Sequence, residues 1–145
     1  MSDVGTCPEC GARLEPGQTC DDLFGQVLAW EHEGAPETYA CHHLLAMCWE
    51  AQHPSRFSEE ALAWVRTSLR RVLVEDVTAQ RLLAESRDAF AQSHRTWRVT
   101  RHGVEPVLHQ WSHTIADVVA EGFDALPHSI RRWAEATLAE LDEGA

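Results

Sequence analysis

Apolar residues recur at intervals of three and four through most of the chain, the spacing of one face of an α-helix. The first run follows Asp21-Asp22, whose carboxylates suit the positive end of a helix dipole, and stops at the breaker Gly34-Ala35-Pro36. A second helix is predicted from about Glu37 to His53. It is apolar on more than one face, so we expect it to be central and largely buried.

Capping residues mark the later helices. Ser58 followed by two glutamates predicts the start of a third helix, and Thr78 the start of a fourth. The pattern then fails from residue 91 to residue 113. It resumes at Thr114, which has Asp117 three residues later as in a capping box, and Pro127 suits the first turn of a last helix.

These elements predict an all-α fold, a small helical bundle of five or six helices with an N-terminal zinc-binding loop. With 145 residues the chain is expected to form a single helical domain, 1–145, with a real hydrophobic core. Its expected parts are a zinc loop (5–20), a helical core (21–90), an irregular His- and Trp-rich loop (91–113) and C-terminal helices (114–143).

Composition narrows the function classes. Acidic residues outnumber basic ones 23 to 12, for a net charge of −11, which argues against nucleic-acid binding because that depends on Lys and Arg contacts to phosphate. No stretch approaches the ~20 apolar residues of a membrane span, and the first residues lack a secretory signal. We therefore expect a cytoplasmic protein without membrane or nucleic-acid partners.

The cysteines carry the clearest chemistry. Cys7 and Cys10 form Cys-Pro-Glu-Cys-Gly, a knuckle in which Gly11 permits the positive φ of a tight turn, and Cys20 supplies a third sulfur. Because disulfides are rare in reducing compartments, metal ligation is the better interpretation of these thiols. The expected cofactor is Zn²⁺, which normally takes four protein ligands at a structural site.

The fourth ligand is less certain from spacing alone. Candidates on the second helix are Cys41, His42, His43, Cys48 and His53. His42 and His53 lie about 16 Å apart along a helix, so they cannot share an ion. If the first two helices are antiparallel, Cys20 lies near the far end of the second helix, which favours His53 or Cys48.

A resemblance bears on this choice. The segments CPECG, Cys20, Tyr39…His42-His43-Leu44 and Trp49…Gln52-His53-Pro54 resemble the pattern CPxCG…C…Y…H-[RH]-L-x-x-x-x-[YW]-x-x-Q-H-P of a family of uncharacterised bacterial proteins, a domain of unknown function. The resemblance implies no reaction. It places Cys7, Cys10, Cys20, His42 and His53 at family positions and makes His42 the expected fourth ligand. His53 is the alternative, and Gln52 and His43 are further candidates for a ligand or pocket role.

Two functions of different classes follow. The leading hypothesis is a structural zinc site on a helical body that acts as a protein-interaction or small-molecule-binding module. The alternative is a metal-dependent hydrolase with an open zinc position or a second metal held by His94, His102, His109 and His113. Trp97 and Trp111, in the same irregular stretch, are the tryptophans best placed to contact a ligand or partner. No catalytic residue is assigned.

Overall fold

The all-α prediction is confirmed by the computed structural model, which describes residues 5–34, 41–91 and 98–144. In these residues a minimal antiparallel ladder, Gly5 opposite Leu14 and Thr6 opposite Arg13, is accompanied by six α-helices and two 3₁₀ turns, Pro54–Arg56 and Phe123–Ala125. The strands and helices are β1 (Gly5–Thr6), β2 (Arg13–Leu14), α1 (Cys20–Glu33), α2 (His42–Gln52), α3 (Glu59–Leu73), α4 (Ala79–Ala91), α5 (Ile115–Glu121) and α6 (Leu126–Glu143). No helix among the described residues is long and apolar enough to cross a membrane.

Side-chain caps fix where the helices begin. Thr19 and Asp22 form a capping box at α1, and Thr114 and Asp117 form the predicted one at α5. The Ser58 hydroxyl accepts from the Ala61 N–H at 3.1 Å, which starts α3 where the sequence indicated. Such caps satisfy N–H groups that have no partner inside the helix, so they set helix boundaries locally.

The core lies around α2. This helix packs against α6 and α3, while α5 packs against α1 and α6. Leu45 of α2, Leu69 of α3 and Trp133 of α6 are all completely buried. The buried cysteines near the N-terminus belong to the same apolar cluster, so the metal-type residues are part of the core.

Residues 98–113, which we call the strap, cross the molecule without helix or regular strand. The Ser58 N–H donates to the Val99 carbonyl at 2.9 Å, and the Arg101 N–H donates to the Arg56 carbonyl at 3.0 Å. Further along, the N–H of His109 donates to the carbonyl of Glu9 at 2.9 Å. The strap, which is the described part of the predicted irregular stretch, is therefore held by hydrogen bonds to residues 56–58 and to Glu9. Residues 92–97 of that stretch, with His94 and Trp97, lie outside the described part of the chain.

The carboxyl group of Glu50 on α2 lies in an apolar hollow of about 350 Å³ that Phe24, Trp49 and Phe57 help to line. Burial raises the pKa of Glu50 to about 7. The folded chain therefore holds this proton more tightly than the unfolded chain, in which a glutamate has a pKa of about 4.3. The free energy of unfolding should fall as the pH rises from about 4.5 to about 7 and then level off.

We expect the variant E50Q to lose this decline, because the amide does not titrate. Urea unfolding across that pH range measures the difference between wild type and variant. The control is E60Q, which removes an exposed glutamate from the first turn of α3. A pH profile of E50Q that parallels that of the wild type would contradict the assignment.

Candidate metal centre

Four buried side chains converge near the N-terminus. They are Cys7, Cys10, Cys20 and His53, and one ligand atom from each lies within 4.8 Å of all the others. Each of the four residues is no more than 4% exposed. Three different parts of the chain supply them: the knuckle between β1 and β2, the first residue of α1, and the residue that follows α2.

Backbone hydrogen bonds shape the knuckle. The Cys7 N–H donates to the Ala12 carbonyl at 2.8 Å, and the Gly11 N–H donates to the Cys7 carbonyl at 3.0 Å. The Cys10 N–H points at the Cys7 sulfur at 3.5 Å. Gly11 has φ = +78°, a backbone conformation that residues other than glycine rarely adopt. The turn therefore presents both sulfurs on one side.

His53 is oriented by the end of α2. Its Nδ1 lies 2.8 Å from the Trp49 carbonyl oxygen, and because a carbonyl only accepts, Nδ1 carries the hydrogen of this bond. That leaves Nε2 facing the Cys7 sulfur at 3.8 Å. The Trp49 ring lies against the imidazole, with centroids 3.8 Å apart, and stacks on Phe24 at 4.5 Å. Backbone bonds of this kind fix the tautomer of metal-ligating histidines.

Contacts within the group shift the pKa of Cys7, Cys20 and His53. Hydrogen bonds with Cys10 and Cys20 lower the pKa of Cys7, and hydrogen bonds within the same trio raise the pKa of Cys20. Burial lowers the pKa of His53, but its hydrogen bonds with the Cys10 and Cys7 sulfurs outweigh this effect, and the net result is a pKa raised to about 9. Without a cation the cluster thus favours sulfur negative charge beside a protonated imidazole. A metal ion would replace that proton as the compensating positive charge.

The spacing fits a tetrahedral ion. The Cys10 and Cys20 sulfurs are 3.6 Å apart, and sulfurs bound to tetrahedral zinc at ~2.3 Å are separated by roughly 3.8 Å. The Cys7 sulfur and His53 Nε2 are 3.8 Å apart. Thiolate and imidazole donors are those that zinc prefers in structural sites. The group could therefore hold a metal ion.

The structure leaves His42, the expected fourth ligand, outside this group. His42 lies at the start of α2, where its Nδ1 is 2.9 Å from the Glu31 carboxylate near the end of α1. Helices α1 and α2 are thus antiparallel, and Cys20 at the start of α1 meets the far end of α2, where the alternative His53 lies. Residue spacing predicts a ligand at the far end of α2, where His53 lies, whereas the family resemblance predicts His42.

The other candidates have different surroundings. His43 borders a separate hollow beside Cys41, and burial lowers its pKa. Gln52 is completely buried, and its side-chain amide donates to the His113 carbonyl at 2.9 Å and to the Thr137 hydroxyl at 3.0 Å. Gln52 therefore links α2 to the strap and α6.

The histidines of the strap do not form a second metal centre within the described residues. There, Cys7, Cys10, Cys20 and His53 are the only set of three or more potential ligands that lie close enough to share an ion. His102 is exposed, and His109 contacts the Glu140 carboxylate at 3.4 Å. His94, the fourth residue of the predicted set, lies outside the described part of the chain.

Several contacts around the site carry no sequence signal. The Glu9 carboxylate, within the knuckle, accepts from the Ser55 N–H at 2.7 Å and from its hydroxyl at 2.8 Å. Arg56 forms a two-pronged ion pair with Asp21. The Gln110 side chain donates to the Gly11 carbonyl at 3.1 Å. Each of these contacts holds a residue next to one of the four converging side chains, but none follows from a spacing rule.

Comparison with protein families gives one match. Residues 5–142 match the model described as a family of unknown function, DUF5946. No curated protein and no solved structure matches the chain.

One prediction of this site concerns the fourth ligand. We expect H53A to lower Zn²⁺ affinity by at least about a hundredfold, since even residues that only orient a ligand contribute 10- to 100-fold. H42A should retain wild-type affinity, because His42 pairs with Glu31 at the other end of α2. Competition with a chromophoric chelator measures both constants. Loss of zinc in H42A but not in H53A would reverse the assignment.

Another prediction tests the contact between Gly11 of the knuckle and Gln110 of the strap. Gly11 and Gly17 both have positive φ. A Cβ atom at Gly11 would overlap the Gln110 amide, whereas a Cβ atom at Gly17 would have no other atom within 4 Å. Both alanine variants should lose about 1–2 kcal/mol of stability from φ strain. G11A should lose about 0.5–1.5 kcal/mol more, because the exposed Gln110 amide must move aside and give up its hydrogen bond to the Gly11 carbonyl.

Chemical denaturation of both variants, and of G11A combined with Q110A, measures these terms. Relative to Q110A alone, the double variant should lose only the φ strain, because the Gln110 side chain and its hydrogen bond are already absent. Equal destabilisation of G11A and G17A would show that the strap does not restrict this turn.

Proposed function

Since the chain belongs to the DUF5946 family, whose function is unknown, we propose a function from the site itself. The protein binds one Zn²⁺ through Cys7, Cys10, Cys20 and His53. The ion is structural, and it stabilises a helical body that binds a ligand or partner elsewhere on its surface.

One observation carries this proposal. Three sulfurs and one imidazole nitrogen, all from buried residues, lie together at spacings suited to a tetrahedral ion. Burial leaves the three thiols and the imidazole Nε2 with few partners besides one another, and a single cation would satisfy all four. A bound Zn²⁺ would neutralise thiolate charge and hold the four side chains together.

The position of the site supports a structural role. The ligands come from the knuckle, the start of α1 and the end of α2, and the strap hydrogen-bonds to two of these regions. The strap contacts Arg56 and Ser58, just after His53, at one end and Glu9 and Cys10, inside the knuckle, at the other. Fixing the four ligands therefore also fixes the two anchors of the strap.

The hydrolase alternative has one supporting observation. Cys7, Cys20 and His53 border a surface depression of about 500 Å³, so small molecules can approach the site. Catalytic zinc, however, keeps one position for water beside three protein ligands, whereas four protein donors fill a tetrahedral shell. Hydrolysis would require one of the four to leave, and their burial opposes this.

Removal of the metal tests the structural role. We expect a chelator to lower stability by at least about 3 kcal/mol, which for a chain of this size lowers Tm by roughly 10 °C. Amide hydrogen exchange should accelerate at His109 and Trp111, whose N–H groups donate to the knuckle. Added Zn²⁺ should restore both readouts.

Matched cysteine variants provide the control. C20S should lose the metal, and C41S should keep it, because Cys41 lies outside the group. In Co²⁺-loaded protein, a four-coordinate spectrum that is unchanged by added anions supports the closed shell. Metal loss without change in stability or exchange would overturn the structural role, and an exchangeable water ligand on Co²⁺ would favour the hydrolase.

A further inference from the structure

A further cavity borders the strap. It has a volume of about 500 Å³ and lies between α3, the end of α6 and the strap. Leu62 and Ala63 of α3, Leu141 of α6 and Trp111 of the strap provide apolar walls. Its size falls within the range of natural small-molecule sites.

Two carboxylates border this cavity, but both have donors already. Glu9 accepts two hydrogen bonds from Ser55, at 2.7 and 2.8 Å. Glu140 accepts from the Ser112 N–H at 3.1 Å and from the Ser112 hydroxyl. These bonds hold the strap and the knuckle in place, so both carboxylates have a structural role that needs no ligand.

Arg66 of α3 also borders the cavity, and its one ion pair among the described residues is long. The Arg66 guanidinium is 3.6 Å from Asp142, beyond hydrogen-bond distance, and Arg70 forms the shorter pair with that carboxylate. Within the described part of the chain, Arg66 donates no hydrogen bond. Its planar donors match the two oxygens of a carboxylate, and they lie beside an apolar wall.

We propose that this cavity binds an apolar monocarboxylate, with its hydrocarbon part between α3 and the strap and its carboxylate on Arg66. The inference rests on the proposed function, because it names the ligand class of the helical body. A single negative charge is favoured over a dianionic phosphate, since Glu9, Glu140 and Asp142 all lie close by. The strap forms one wall, so the metal site supports the cavity through the knuckle.

Decanoate is a suitable probe, with decan-1-ol as its neutral match. In zinc-loaded protein we expect calorimetry to show decanoate binding at least about tenfold more tightly than decan-1-ol, the contribution of a charge-assisted hydrogen bond. Decyl phosphate should bind more weakly than decanoate. Tighter binding of decyl phosphate, or equal binding of the alcohol, would overturn the carboxylate assignment.

Variants locate the site. R66Q should weaken decanoate binding about tenfold and leave decan-1-ol binding unchanged. R132Q removes the same charge from α6 at a site paired with Glu121, and it should bind like the wild type. R70Q should weaken decanoate binding, because it frees Asp142 to pair with Arg66. Unchanged decanoate binding in R66Q would overturn the role of Arg66.

A63F provides a test that does not depend on charge. Ala63 is exposed on α3, so a larger side chain can fill the cavity without entering the core. It should abolish binding of both decanoate and decan-1-ol. Undiminished binding in A63F would place the ligand elsewhere. Metal content is measured in every sample, so failure of decanoate to bind with zinc intact overturns only this inference and leaves the metal proposal standing.

Discussion

The hydrogen bond from His53 to the Trp49 carbonyl is the contact on which the group of three cysteines and one histidine depends. It fixes the imidazole at the end of α2 and turns Nε2 toward the cysteine sulfurs. Because Trp49 stacks on Phe24, the same residue also ties α2 to α1. The geometry of a buried polar site is thus set by helix packing, and the site closes only where the start of α1 meets the end of α2.

The strap extends this order to a part of the chain that has no regular structure. Its backbone donates to the knuckle and pairs with the residues after His53, while Glu140 of α6 accepts from Ser112 near its end. A segment held only in this way has little stability of its own, since few of its side chains are buried. Its conformation is therefore set by the elements that it contacts, and the cavity beside α3 depends on them too.

Much of the helical framework could be predicted because it follows from local rules. Ser58, Thr114 and Pro127 marked helix starts correctly, since capping and proline effects act within one turn. The resemblance to a family of unknown function is confirmed. The choice between His42 and His53 could not be made from the sequence, because both fall on motif positions at opposite ends of α2, and only the packing of α1 against α2 brings His53 to the cysteines. The strap contacts could not be predicted, because many join main-chain groups and the others join residues far apart in the sequence.

The sequence separation of these contacts has a consequence for how the chain folds. Cys7 and His53 are 46 residues apart, and Gln110 contacts Gly11 across 99 residues. Contacts between distant residues cost loop-closure entropy before they contribute stability, and they slow folding. We therefore expect the helices, whose internal hydrogen bonds are local, to form before the N-terminal turn is completed by the second half of the chain. During synthesis on the ribosome, the knuckle leaves the exit tunnel long before residue 110 exists to lie on it.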